Sequence, residues 1–117
     1  MSVQTDFVVL VTAIFAARVY PGVAPASAAK PYATYFRVAS VEGSTLDTNG
    51  GTGNESNTRL QVDIWTETYL DAQSKAAAVK SALKGWSVEN VVLAEQDLFD
   101  TETRLHRVLL DVSTWHR

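Results

Sequence analysis

The seven residues 59–65 read Arg-Leu-Gln-Val-Asp-Ile-Trp, with Leu60, Val62 and Ile64 alternating against Arg59, Gln61, Asp63 and Trp65. Successive side chains of an extended strand point to opposite faces, so this segment is a strand with one apolar and one polar side. The apolar side must be covered. In a chain of 117 residues the natural cover is a layer of helices from the same chain, and everything else is read around that demand.

Two segments have the apolar spacing of such helices. The clearer one is "TYLDAQSKAAAVKSALKGW", in which Ala72, Ala76, Val79, Leu83 and Trp86 form the buried stripe and Lys75, Lys80 and Lys84 the wet side. Thr68 followed by Asp71 resembles a capping box, and Gly85 falls where a left-handed C-cap is expected. The other segment is near the start, with Phe7, Leu10, Val11, Ile14 and Phe15 at i, i+3, i+4, i+7 and i+8. Thr5 or Ser2 could cap it, and Asp6 in its first turn suits the positive end of the helix dipole.

That first segment also resembles the apolar core of a secretory leader, with "APASAA" downstream as a cleavage region. A leader carries positive charge ahead of its apolar run, whereas "MSVQTD" has no Lys or Arg and contains Asp6. Arg18 also follows the run directly. The expectation is a helix retained in the mature protein. At 11 residues, 7–17 is too short for the ~20 needed to cross a bilayer, so no membrane association is expected.

Three further strands are expected: "YATYFRVASV" from Tyr32 to Val41, "NVVLAEQDLF" and "TRLHRVLLDVSTW". The proline-rich stretch "RVYPGVAPASAAKP" reads as an extended connection. Between the first two strands lie the sixteen residues 42–57, almost without apolar content. Loops longer than about 12–15 residues are usually functional or disordered. This one is expected to order only against a neighbouring molecule, with Leu46 as its anchor. The fold class expected is α+β, a single domain over residues 1–117 in the order α-β-β-α-β-β. Its four-stranded antiparallel sheet carries both helices on one face, a long loop at 43–57 and at least one open edge.

The sequence offers little chemistry. It contains no cysteine, so disulfides, thiolate metal sites and cysteine nucleophiles are excluded. No His-x-x-x-His or calcium-loop pattern is present, and no metal or cofactor is expected. Neither histidine, His106 or His116, has a carboxylate at a spacing that would make it a general base. "NGGTGN" lacks the Gly-Lys-Ser/Thr ending of a phosphate loop and opens onto a strand. Trp86 ends a helical stripe and reads as core. Trp65 stands on the polar side of its strand and reads as a contact surface. The net charge of −3, with scattered basic residues, gives no nucleic-acid-gripping face.

Taken in order, Arg18, Val19, Tyr20 and Pro21, then Pro31 and Tyr32, then Arg59, Gln61, Val62, Asp63 and Trp65 ahead of an Ala- and Val-rich helix resemble the tail-completion (tail-terminator) proteins of long-tailed bacteriophages and prophages. The likeness runs from the first helix to about Leu83. It implies a structural virion protein without catalytic residues or cofactors. Such a protein caps the finished tail tube and joins it to the head connector as a ring of identical subunits, commonly six. Its partners are then further copies of itself, the tail tube protein and the head-connector protein. It sits at the head-proximal end of the tail after assembly in the host cytoplasm. DNA only passes through the lumen, and an acidic ring would repel phosphate there. The candidate assembly surface comprises Leu46, Asp47, Asn49, Asn54 and Glu55 on the loop, with Arg59 and Trp65 on the following strand. Two other classes fit the bare sequence: a small cofactor-independent α+β enzyme of the dimeric barrel kind, with His106 and a tryptophan in an apolar cavity between helices and sheet, and a secreted binding domain with its leader removed.

Overall fold

The computed structural model describes residues 3–41 and 56–116 of the chain. Helix α1 (Val3–Val11) is followed by the strands β1 (Val19–Pro21), β2 (Tyr32–Val41) and β3 (Ser56–Thr66). Helix α2 (Tyr69–Lys84) then leads to β4 (Glu89–Asp100) and β5 (Leu105–His116). Among the described residues the sheet has five strands in the order β1-β2-β3-β5-β4. All neighbours are antiparallel except β1 and β2, which pair in parallel over Val19 with Ala33, Tyr20 with Thr34 and Pro21 with Tyr35.

This corrects the expected four-stranded, wholly antiparallel sheet and the α-β-β-α-β-β order. The unexpected strand lies in the proline-rich connection. Only three residues long and closed by a proline, it carries no alternation that a sequence pattern could register. It forms because Arg18 O accepts from Ala33 N at 3.0 Å and Tyr35 O from Gly22 N at 2.8 Å, so both its ends are tied to β2.

The apolar side of β3 is covered as its alternation demands. Leu60, Val62 and Ile64 pair with Val112, Leu110 and Val108 of β5, and all six are fully or almost fully buried. One buried cluster joins these residues to Phe7 and Val11 of α1 and to Ala72, Ala76, Val79 and Leu83 of α2. Both helices therefore cover the same side of the sheet. Thr68 caps α2 as expected, its hydroxyl accepting from Asp71 N at 3.1 Å. At the other end Gly85 has φ −92°, not the left-handed value expected. The Leu83 carbonyl accepts both from Trp86 N at 3.2 Å and from the side-chain amide of Asn90 at 2.9 Å.

The first apolar stripe continues to Phe15, but the helix ends at Val11. Residues 12–17 form a turn in which Ala17 N donates to Thr12 O at 2.8 Å, with Ala16 and Ala17 at φ 50° and 69°. Phe15 stays in register with the core, 1% exposed, although its backbone has left the helix. Helical spacing over so short a range does not distinguish a helix from a compact turn.

Candidate functional site

The face of the sheet away from the helices carries the residues of the polar phase. Arg59, Gln61, Asp63 and Trp65 of β3 lie beside Arg107 and Asp111 of β5, and the two arginines and two aspartates alternate in a diagonal pattern. Arg59 pairs with Asp111, which lies opposite Gln61. Arg107, opposite Trp65, donates from Nη2 to Asp63 Oδ1 at 3.2 Å. The other oxygen of Asp63 accepts from Gln61 Nε2 at 3.2 Å. With its carboxylate held on both sides, Asp63 is 5% exposed although it stands on the outer face.

Trp65, near the end of β3 on this face, is half-buried, not the freely exposed aromatic that its position in the alternation suggests. Tyr32, opposite it on β2, stacks on its ring with centroids 6.1 Å apart and planes 19° apart. The Arg107 guanidinium carbon lies 5.0 Å from its ring centroid, a cation–π arrangement. Its indole N–H donates to Thr34 Oγ1 at 3.3 Å. The residue is therefore a packed anchor of the outer face. Its neighbours on β2 and β5 were out of reach of an argument confined to β3.

Beside Trp65 the turn after β1 and the turn between β4 and β5 frame an open groove of about 350 Å³, lined by Gly22, Val23, Tyr32, Phe36, Trp65 and Asp100. Burial, and after it the carboxylate of Asp100, push the Tyr32 phenol above its ordinary range. A raised pKa means that the folded state favours the neutral phenol. Its contribution to stability is present below the ordinary tyrosine pKa and is lost as pH rises through the folded value. Titration at 295 nm should show one late-ionising tyrosine that Tyr32→Phe removes, and Asp100→Asn should bring it only part of the way down.

Of the residues expected to form the assembly surface, Leu46, Asp47, Asn49, Asn54 and Glu55 lie outside the described residues, as does most of the 43–57 loop. Arg59 and Trp65 share the outer face, but pairing and packing already engage them. The positions that sequence reasoning missed are the apolar ones left exposed: Phe36 and Val38 on β2, and Val91, Leu93, Leu98 and Phe99 on β4. The unbroken apolar run Val91-Val92-Leu93 was the available signal, because a strand buried on one face alternates. His106 lies between the rings of Phe99 and Tyr69, with centroids 5.0 and 6.0 Å away. No group of three or more His, Asp or Glu side chains is placed to hold a metal among the described residues.

The middle of the space between helices and sheet, where the enzyme reading would need an apolar cavity, is occupied by Phe7, Phe15, Leu60, Ile64 and Leu83, none more than 1% exposed, and a groove of about 400 Å³ opens only at its edge, between the end of α2 and β4. A family model described as "Tail completion protein gp17" matches residues 8–117. No curated protein gives a significant match. Among solved structures, a chain of one described as "Virion of native gene transfer agent (GTA) particle" has the same fold at TM-score 0.72 and 19% identity, over 97% of this chain and 93% of that chain.

Proposed function

The chain belongs to the tail completion protein gp17 family, and from that membership we propose that it is a structural component of a phage or phage-like particle. In this reading it caps the tail tube and joins it to the head connector as a ring of identical subunits, commonly six. The observation that carries it is a family match over residues 8–117, nearly the whole chain. The fold shared with a chain of the gene transfer agent virion supports it. The outer face, where a packed aromatic lies among alternating ion pairs, is compatible with a contact role. The loop at 43–57, with Leu46, Asp47, Asn49, Asn54 and Glu55, is proposed to reach along a neighbouring subunit, with Arg59 near its base and Trp65 at the far end of the same strand. No catalytic residue, cofactor or membrane partner belongs to this role.

Particles produced without this chain should accumulate as filled heads and separate tails in electron micrographs, and the purified protein added back should restore joining. Deletion of residues 48–55 should reduce that restoration while the far-ultraviolet spectrum stays unchanged. Joined particles at the normal level in the absence of the chain would exclude the role. Trp65→Ala is a poorer probe, because that side chain packs on Tyr32 and Arg107.

A further inference from the structure

We infer that the two open edges of the sheet are complementary docking surfaces for a second copy of this chain, β4 of one copy lying antiparallel beside the uncovered half of β2 in the next. The inference deepens the ring reading and rests on it for the presence of further copies; the contact itself rests on four observations.

The first is where backbone is left unpaired. Among the described residues, strand β4 has β5 on one side and no strand on the other, and most of its twelve residues are exposed. On β2, the short β1 covers only residues 33–35 and ends at Pro21, which has no N–H to offer. From residue 36 to 41 no strand lies on that side of β2 among the described residues. Such edges are templates for another strand.

The second is charge. Residues 7–41 contain no Asp or Glu, only the cations Arg18, Lys30 and Arg37, whereas residues 89–102 contain Glu89, Glu95, Asp97, Asp100 and Glu102 and no cation. The strand order puts these two segments at opposite ends of the sheet. Some of the charges are engaged within the chain, as Glu95 is with Lys80 at 2.8 Å and Arg18 with the Pro31 carbonyl at 3.0 Å. Glu89 and Arg37 are exposed. Like edges brought together would set acid against acid or Arg37 against Arg37, so only the unlike edges attract. Unlike edges form a heterologous contact, which continues from copy to copy and closes into a ring when the rotation allows.

The third is strand sense. Three antiparallel steps separate β2 from β4, so the two run in opposite directions. Copies related by rotation about an axis along the strands keep their orientation, and β4 then meets the next β2 in the antiparallel pattern the sheet already uses. The fourth is height along the strands. Paired rows run from Phe36 through Gln61 and Asp111 to Ala94, and from Val41 through Asn57 and Trp115 to Glu89. The open half of β2 is therefore level with residues 89–94. Exposed apolar side chains stand at that height on both edges: Phe36 and Val38 at 40% and 48%, Val91 and Leu93 at 48% and 52%.

The chain has no cysteine, so Ala39→Cys and Val91→Cys can be placed together and bridged by a bis-maleimide of ~10 Å span, long enough to join adjacent strands. The expected product is a ladder of dimer, trimer and larger species, since each copy carries both halves of the contact. Arg37 lies three rows from the level of Glu89, so each reversal acts through the charge of the edge: Arg37→Glu or Glu89→Lys alone should lower the ladder yield about twofold, and both on one chain should restore it. Absence of a ladder, a product that stops at dimer, or a yield indifferent to both reversals would overturn the inference. Particle joining that still depends on the chain in those cases would leave the functional proposal standing.

Discussion

Replacing Phe7 with alanine should lower the folding free energy by about 3–5 kcal/mol, the range for truncating a fully buried aromatic. That is a large share of the ~5–15 kcal/mol typical of a domain. Phe7 is 0% exposed and is the point where three parts of the chain meet. Its ring lies 6.1 Å from that of Tyr35 on β2 and 6.2 Å from that of Trp86 just after α2. Urea denaturation followed by tryptophan fluorescence reads this directly, because Trp86 reports the same cluster. Val9→Ala on the same helix is the control: at 63% exposure it should change stability by no more than about 0.5 kcal/mol. Equal effects from the two substitutions would mean that α1 does not belong to the core.

The same helix shows what the sequence could reveal. The spacing of Phe7, Val11 and Phe15 correctly placed all three in the core, because burial depends only on which side a residue faces. It misjudged where the helix stops, because a turn holding Ala16 and Ala17 at positive φ can carry Phe15 to the same side. Strand β2 was legible to the residue, since its aromatic and β-branched run is bounded by Pro31 and by the polar loop. Strand β1 was not, since three residues paired with a partner fourteen residues away leave no local pattern. The outer face divides in the same way. Its phase followed from the alternation of residues 59–65, but the partners of Trp65 and Asp63 came from β2 and β5. Which strands become neighbours is decided by the sheet order, not by either segment alone.

Asp63 is where that hidden pairing should matter most. Asp63→Ala is expected to cost roughly 3 kcal/mol, the lower end of the range for breaking a buried ion pair, because the Arg107 side chain keeps 28% exposure. Arg59→Ala, at 42% side-chain exposure, removes a pair that water already screens and should cost less than about 1 kcal/mol. The loss at Asp63 comes from what remains: a guanidinium over Trp65 without its carboxylate, and a Gln61 amide without its acceptor. If that is the cause, removing both charges should hurt less than the sum of the single changes. Asp63→Leu with Arg107→Met should recover most of the stability in a double-mutant cycle, since an apolar pair of similar volume avoids the desolvation cost. The double variant would also put apolar side chains between the exposed Phe36 on β2 and Leu98 on β4, creating a continuous apolar patch on a face that the ion pairs keep polar. It should therefore fold well and self-associate without specificity, visible as concentration-dependent light scattering. A double variant that stays monodisperse and still restores particle joining would show that the ion pairs serve neither stability nor the selectivity of this face.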